Sequence, residues 1–172
     1  PIKTERLNSV IKMTRMVMDR PPAPFWGRAG KFTGNVDRWM ETVCEMPAFV
    51  VNDAGSVELG TDTRPGHRDH GVEMRVLNAP TPETDASCHY FYAHARNFGL
   101  EDSEVQKTFQ TQFTDVFLED KFVLEGQQRV KNLKPDAVEV DINSDAASIA
   151  ARAMLIELIE AEQAELISGA AE

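Results

Sequence analysis

The stretch "FTDVFLEDKFVLEGQQ" (residues 113–128) is where the chain settles into a helical period. Phe113, Val116, Phe117, Val123, Leu124 and Gln127 recur at the spacing of one helical face. Asp120 falls in the middle of that stripe, while its charged neighbours Glu119 and Lys121 point elsewhere. Leu118 and Phe122 lie on the opposite side, so the helix is expected to be covered on both sides and Asp120 to be enclosed. A buried ionised carboxylate is costly unless it is paired, hydrogen-bonded or bound to a metal. Two readings are open: a salt bridge to a core-edge arginine such as Arg75 or Arg96, or a carboxylate with a chemical task.

Outward from this stretch, the pattern predicts a helix from about Ser103 to about Val130, with Asp102 as its N-cap and Gly126 weakening its last turns. The segment "KNLKPDAVEVDINSD" (131–145) reads as a connector. Ser144 or Asp145 can cap a final helix over about 145–167, rich in Ala, Leu and Ile. The first half reads as strands. Residues 9–18, 37–51 (interrupted by Pro47), 72–80 and 86–97 carry the β signal, the last two joined by "TPETD". Residues 20–34 read as a loop dense in Pro and Gly, and residues 52–69 as a turn-rich mobile segment. Strands followed by long helices predict an α+β domain, an antiparallel sheet with helices on one face.

The composition is that of an ordinary globular chain of 172 residues, with a formal net charge of -10. That charge argues against a nucleic-acid surface, which needs clustered Lys and Arg. No apolar run approaches a membrane span and no signal-peptide pattern opens the chain, so neither a membrane nor a nucleic acid is expected as partner, and the location expected is cytoplasmic. Cys44 and Cys88 read as two buried, reduced thiols. Serine-nucleophile signatures, phosphate loops and zinc-protease helices are absent.

His67 and His70, in "HRDH", read as solvated loop residues. His89 and His94, in "HYFYAH", have the gap of an H-x4-H pair, but residues five apart on a strand point to opposite faces. One of the two is expected inside and the other toward solvent. His89 is a candidate pocket residue, with a satisfied core histidine as the alternative.

Three segments together, "DRPPAPFWGRAGKFTGNVDRW" (19–39), "TPETDASCHYFYAHARNFG" (81–99) and "FLEDKFVLEGQQ" (117–128), resemble the C-terminal catalytic region of Rieske non-haem iron aromatic oxygenases. The branch is that of vanillate O-demethylase, dicamba O-demethylase and phthalate dioxygenase, and the resemblance spans roughly residues 8–130. It implies a helix-grip (START-like) fold, an antiparallel sheet wrapped round a long helix, here an incomplete domain with an extra C-terminal helix. Residues 1–172 then read as the C-terminal part of the oxygenase catalytic domain: strands over about 8–97, the long helix over about 103–130, the C-terminal helix over about 145–167, and no Rieske domain.

The resemblance also implies chemistry. Such enzymes hold mononuclear Fe(II) with two His and one carboxylate, and the carboxylate of the E-D-K motif falls on Asp120. The family's D-x-x-H-x4-H helix, which supplies the two His, and the C-x-H and C-x-x-H motifs of the [2Fe-2S] Rieske cluster are not in this chain. The chain therefore supplies one iron ligand of three. Asn78 sits where some relatives place a substrate-facing His, and an amide there can hydrogen-bond but cannot become cationic. Phe113 and Phe117 are candidates for an aromatic pocket, with core packing as their ordinary role. The partners implied are an aromatic substrate, dioxygen, a reductase or ferredoxin donor and other copies of the chain, as a trimer. The implied outcome is hydroxylation or O-demethylation. The rival reading is a non-catalytic helix-grip protein that binds an apolar ligand or acts as an accessory subunit, and a third is an interaction domain for oligomer assembly.

Overall fold

The computed structural model describes residues 2–68, 70–138 and 140–169. Six strands form one antiparallel meander in chain order: β1 (Ile2–Leu7), β2 (Val10–Arg20), β3 (Val36–Glu45), β4 (Phe49–Glu58), β5 (Val72–Thr84) and β6 (Ser87–Arg96). Three helices complete the α+β fold: α1 (Pro24–Gly30), α2 (Ser103–Leu133) and α3 (Ala146–Gly169).

Two strands exceed the sequence reading. The segment 37–51 is not one broken strand but a hairpin, β3 and β4, turned at Met46–Pro47, whose peptide bond is cis. Residues 52–58, expected in a mobile loop, pair along their length with β3. β1 also forms, pairing Ile2–Leu7 with Val10–Arg15. Within the expected loop 20–34 the structure has α1. Pro24 occupies a first-turn position where its missing N–H costs nothing, and Lys31 closes the helix in the left-handed region at φ 54°. Cys44 is half-buried and Cys88 exposed, so only one thiol approaches the expected burial.

Register fixes which side chains share a face, because partners across an antiparallel ladder lie on the same side. One continuous row runs Arg6, Ile11, Cys44, Val50, Asn78, Tyr92 across all six strands. Both long helices lie on this face. α3 rests against β1 and β2, where Arg6 grips Glu157 with both guanidinium Nη atoms and Met154 is buried. α2 leans on β6 through aromatic rings.

α2 begins as expected: the Asp102 carboxylate accepts from the N–H groups of Glu104 and Val105, two of the donors a helix start leaves without partners. It runs through Gly126 to Leu133, a few residues beyond the expected end. Phe109 is buried among Phe25, Phe98 and Phe113, with ring centroids 5.4, 5.7 and 5.1 Å away, so α1, the β6–α2 turn and α2 share one aromatic cluster.

The opposite face carries a different core. Trp39 is buried there and its indole N–H donates to Asp53 Oδ1 at 2.6 Å. The strap of residues 59–68 is drawn over it by Arg68, whose guanidinium lies 4.0 Å from the Trp39 ring centroid. Arg68 reaches Asp53 at 2.9 Å, Glu73 at 3.3 Å and Glu41 at 3.4 Å, and its Nε donates to the Thr63 carbonyl at 2.7 Å. The segment read as mobile is thus anchored by one buried cation. No helix among the described residues is long and apolar enough to cross a membrane.

Candidate functional site

The β6 segment "HYFYAHAR" (89–96) alternates strictly. Tyr90, Tyr92, His94 and Arg96 face α2, and His89 and Phe91 face away. The two histidines therefore separate, as the strand reading predicts. His89 is solvent-facing, 61% exposed, and stands 3.7 Å from the Glu83 carboxylate. It turns away from α2 yet lies at the rim of the groove between α2 and the β5–β6 hairpin, so it is the core-histidine alternative that fails. His94 goes inward against Phe113, with ring centroids 4.0 Å apart. Its Nε2 is buried without a hydrogen-bond partner among the described residues, and burial holds the imidazole pKa below its ordinary value.

Phe113 and Phe117 take half-buried places on α2. Phe117 stacks on Tyr92 at 4.3 Å and stands 5.6 Å from Tyr90. Phe113 belongs to the His94 and Phe109 seam. Beyond Phe117, α2 overhangs the sheet. A groove of about 1430 Å³ opens between its C-terminal half and the β5–β6 hairpin, walled by Tyr90, Tyr92, Phe117, Asp120 and Leu124 among others.

Asp120 is exposed on this groove. The expectation of an enclosed carboxylate is corrected, and so is the two-sided covering: Val116, Leu118, Phe122, Val123 and Leu124 are all exposed. The reason is geometric. The stripe that periodicity finds is buried only where β6 lies beneath it, from Phe109 to Phe117. The salt-bridge alternative fails as well. Arg75 is committed to Asp53 and Glu73, and Arg96 to Gln106 and the carbonyls of Phe98 and Gly99. Asp120 makes no hydrogen bond or ion pair with the described residues, yet its charge is felt across the groove. The Tyr90 hydroxyl pKa is raised, first by burial, then by Asp120, then by Cys88.

Asn78 is also corrected. It is 4% exposed, and its amide is used inside the wall rather than offered to a ligand. Nδ2 donates to the carbonyls of Val50 and Val76 at 3.3 and 3.5 Å, and Oδ1 accepts from the Tyr90 hydroxyl at 2.9 Å. The polar group that reaches the groove at this place is Tyr90, which the sequence reading passed over. The alternation of aromatic residues at 90 and 92 was the available signal.

Among the described residues no group of three or more His, Cys, Asp or Glu side chains is placed to hold a metal ion. A two-His, one-carboxylate centre needs two imidazoles beside Asp120. The described residues do not make up such a centre by themselves; they offer one carboxylate at the edge of an aromatic-walled groove.

With this geometry in view, the chain can be placed among known proteins. The family described as Vanillate O-demethylase oxygenase C-terminal domain matches residues 1–161. The putative toluene-4-sulfonate monooxygenase system iron-sulfur subunit TsaM2 of Comamonas testosteroni is 31% identical over 153 residues, 88% of this chain and 44% of that protein. The vanillate O-demethylase oxygenase subunit of Pseudomonas sp. (strain HR199 / DSM 7063) is 30% identical over 169 residues, 95% of this chain and 48% of that protein. The chain thus spans less than half the length of these relatives. The solved structure of dicamba monooxygenase with non-heme iron and dicamba superposes with a TM-score of 0.82 at 21% identity, over 95% of this chain and 50% of that one. The apo form gives 0.83 at 22% identity. At such identities these two structures establish the fold, and they bear out the helix-grip expectation. With nearly all of its length matched by one family, the chain belongs to the vanillate O-demethylase oxygenase C-terminal domain family.

Proposed function

We propose that this chain is the C-terminal catalytic portion of a Rieske-type oxygenase that hydroxylates or O-demethylates an aromatic substrate, and that Asp120 is the carboxylate ligand of a mononuclear Fe(II) whose two imidazoles come from residues outside this chain's described set. The observation that carries the reading is the combination at Asp120. A carboxylate that makes no hydrogen bond or ion pair with the described residues stands one helical turn beyond Phe117, on a groove walled by Tyr90, Tyr92 and Phe117. Support comes from the relatives, whose names place them in aromatic oxygenase systems.

The metal would supply dioxygen activation in the complete protein, with electrons from a reductase or ferredoxin partner carrying or feeding a [2Fe-2S] centre. The roles of this chain's own residues follow from their placement. α2 is pinned by the Phe109 cluster and by the Phe117–Tyr92 stack, so it holds Asp120 at a fixed distance from β6. The Tyr92 and Phe117 rings give an apolar surface on which an aromatic ring can lie. Tyr90 puts one hydroxyl oxygen at the groove edge. Homo-oligomer assembly, as a trimer, is part of the same proposal.

The alternative is a non-catalytic helix-grip protein that holds an apolar ligand in the same groove, which is walled by Tyr90, Tyr92 and Phe117. Turnover separates the two. In a protein that joins this chain to the family's D-x-x-H-x4-H helix and Rieske motifs, an aromatic methyl ether with a suitable reductase is expected to yield formaldehyde. Asp120→Ala is expected to abolish that yield. Undiminished formaldehyde from the variant would overturn the ligand assignment, and no turnover from the unaltered protein with any aromatic ether would favour the ligand-binding alternative.

A further inference from the structure

We infer that Arg38 anchors a carboxylate on a protein segment from outside this chain, one that lies across the open inner side of β3. Neither the iron nor the groove beside Asp120 enters into it.

Arg38 stands on the face that bears the helices, six residues before Cys44 on β3 and so on the same side. It is half-buried. Its Nε is sealed from solvent without a hydrogen-bond partner, and its guanidinium makes no hydrogen bond or ion pair among the described residues. Its cross-strand partner, Ser56, is 0% exposed, and the Ser56 hydroxyl is likewise without a partner. A buried guanidinium is costly to leave unpaired, and its planar fork of donors matches a carboxylate. Arg15 adds to the demand. It pairs with Met40 while Arg38 pairs with Val17, so the two arginines are diagonal neighbours on one face, roughly 7–8 Å apart. Arg15 is exposed and makes no ion pair among the described residues. Two like charges this close are stabilised by an anion between them.

No carboxylate of the described residues fills that place. Glu41, Asp53 and Glu73 lie on the opposite face, held by Arg68. Asp37 also points to that face and accepts from the Asp19 N–H at 2.8 Å. Glu157 on α3 is taken by Arg6. Glu58, two residues past Ser56 on β4, shares the face with Arg38, but it is exposed and makes no ion pair with it.

The surroundings indicate what carries the anion. α3 rests on β1 and β2, α1 on β4 and β5, and α2 on β6, which leaves Met40 on β3 45% exposed. Met40, Ala54 and Met74 form one row beside Arg38, and Met13 stands in the next. A floor of thioethers and a methyl group is matched by apolar side chains rather than by a hydrated ion. A protein segment brings apolar side chains and a carboxylate together, and this chain spans less than half the length of its relatives.

Met40 reports the cover directly. Its oxidation by chloramine-T is followed by peptide mass spectrometry, with Met18, 49% exposed, as the reference site. Two proteins are compared: the 172-residue chain, and a protein that joins it to the rest of a family member's length. Expected is Met40 oxidation, relative to Met18, about tenfold slower in the longer protein. Arg38→Gln should undo that protection by about tenfold, the size of one hydrogen-bonded charge pair, and leave the rate in the 172-residue chain unchanged. Arg38→Lys keeps the charge without the fork and should fall between; if Arg38→Gln fails to fold, Arg38→Lys decides. Equal Met40 rates in the two unaltered proteins would overturn the inference, since nothing would then cover β3. Protection that survives Arg38→Gln would overturn it as well, and so would an equal acceleration in both proteins, which would make Arg38 a local packing residue. Sulfate that slows Met40 in the 172-residue chain to the rate of the longer protein would assign the site to a small anion instead. None of these readouts uses turnover or iron, so their failure leaves the proposed function standing.

Discussion

Replacing Arg68 by methionine removes the cation from the buried cluster on the outer face while keeping most of its packing volume. The Arg68 side chain is 4% exposed and faces Asp53, Glu41 and Glu73. The substitution leaves three largely buried carboxylates and the Thr63 carbonyl to find other partners. Removing one member of a buried ionic cluster costs about 3–5 kcal/mol. Two neighbours soften the loss. Arg75 remains 3.2 Å from Asp53 and 3.0 Å from Glu73, and Lys12 remains 3.1 Å from Glu41. The expected cost is therefore at the lower end, about 3 kcal/mol. For a chain of this length that corresponds to a fall in Tm of about 6 to 12 °C. Thermal unfolding followed by circular dichroism measures it, and limited trypsin digestion reports whether the strap 59–68 has lifted, through cleavage after the exposed Arg64. A Tm within about 2 °C of the unaltered chain would refute the claim that Arg68 anchors the strap.

The remaining predictions concern the face that bears the helices and the frame that supports it. His94 has its pKa lowered by burial, so the unfolded chain takes up its proton more readily than the folded one. The stability it contributes is present above the unfolded value of about 6.5 and is lost as pH falls below that toward the folded value. His94→Phe should flatten the stability curve between pH 7.5 and 5.5 in urea titrations, and an unchanged pH slope would count against a buried neutral imidazole. Gly55 lies across from Trp39, and an added Cβ would overlap the indole and the Val72 carbonyl. Gly55→Ala should destabilise by about 1–3 kcal/mol, with a shift in tryptophan emission, and a neutral result would mean that the Trp39 side has room. Asp102→Ala removes the cap of α2 and should cost about 1 kcal/mol, read as a lowered urea midpoint at unchanged slope.

The elements governed by local chemistry were legible in the sequence. Asp102 capped the long helix where expected, and the alternation in "HYFYAH" sent His89 and His94 to opposite faces. The hairpin at Pro47 was hidden because proline breaks a strand and turns a hairpin with the same letter, and only pairing distinguishes the two. The strap looked mobile because its Gly, Pro and Asp are turn residues. Its anchor, Arg68, acts through Glu41, Asp53 and Glu73, which lie far from it in sequence or on other strands. Asp120 shows the limit most clearly. A helical stripe marks the face that could be buried, and whether it is buried depends on what lies beneath, which here ends near Phe117. Asn78 failed for a related reason: position in a strand gives its face, but the two carbonyls and the tyrosine that use up its amide are tertiary facts.

Iron content tests the central claim most directly. In a protein that joins this chain to the family's D-x-x-H-x4-H helix and Rieske motifs, about three irons per chain are expected, two in the cluster and one at the mononuclear centre. Asp120→Ala should lower this to about two while the colour of the cluster persists. An unchanged iron count with intact cluster colour would contradict the assignment of Asp120 as the carboxylate ligand.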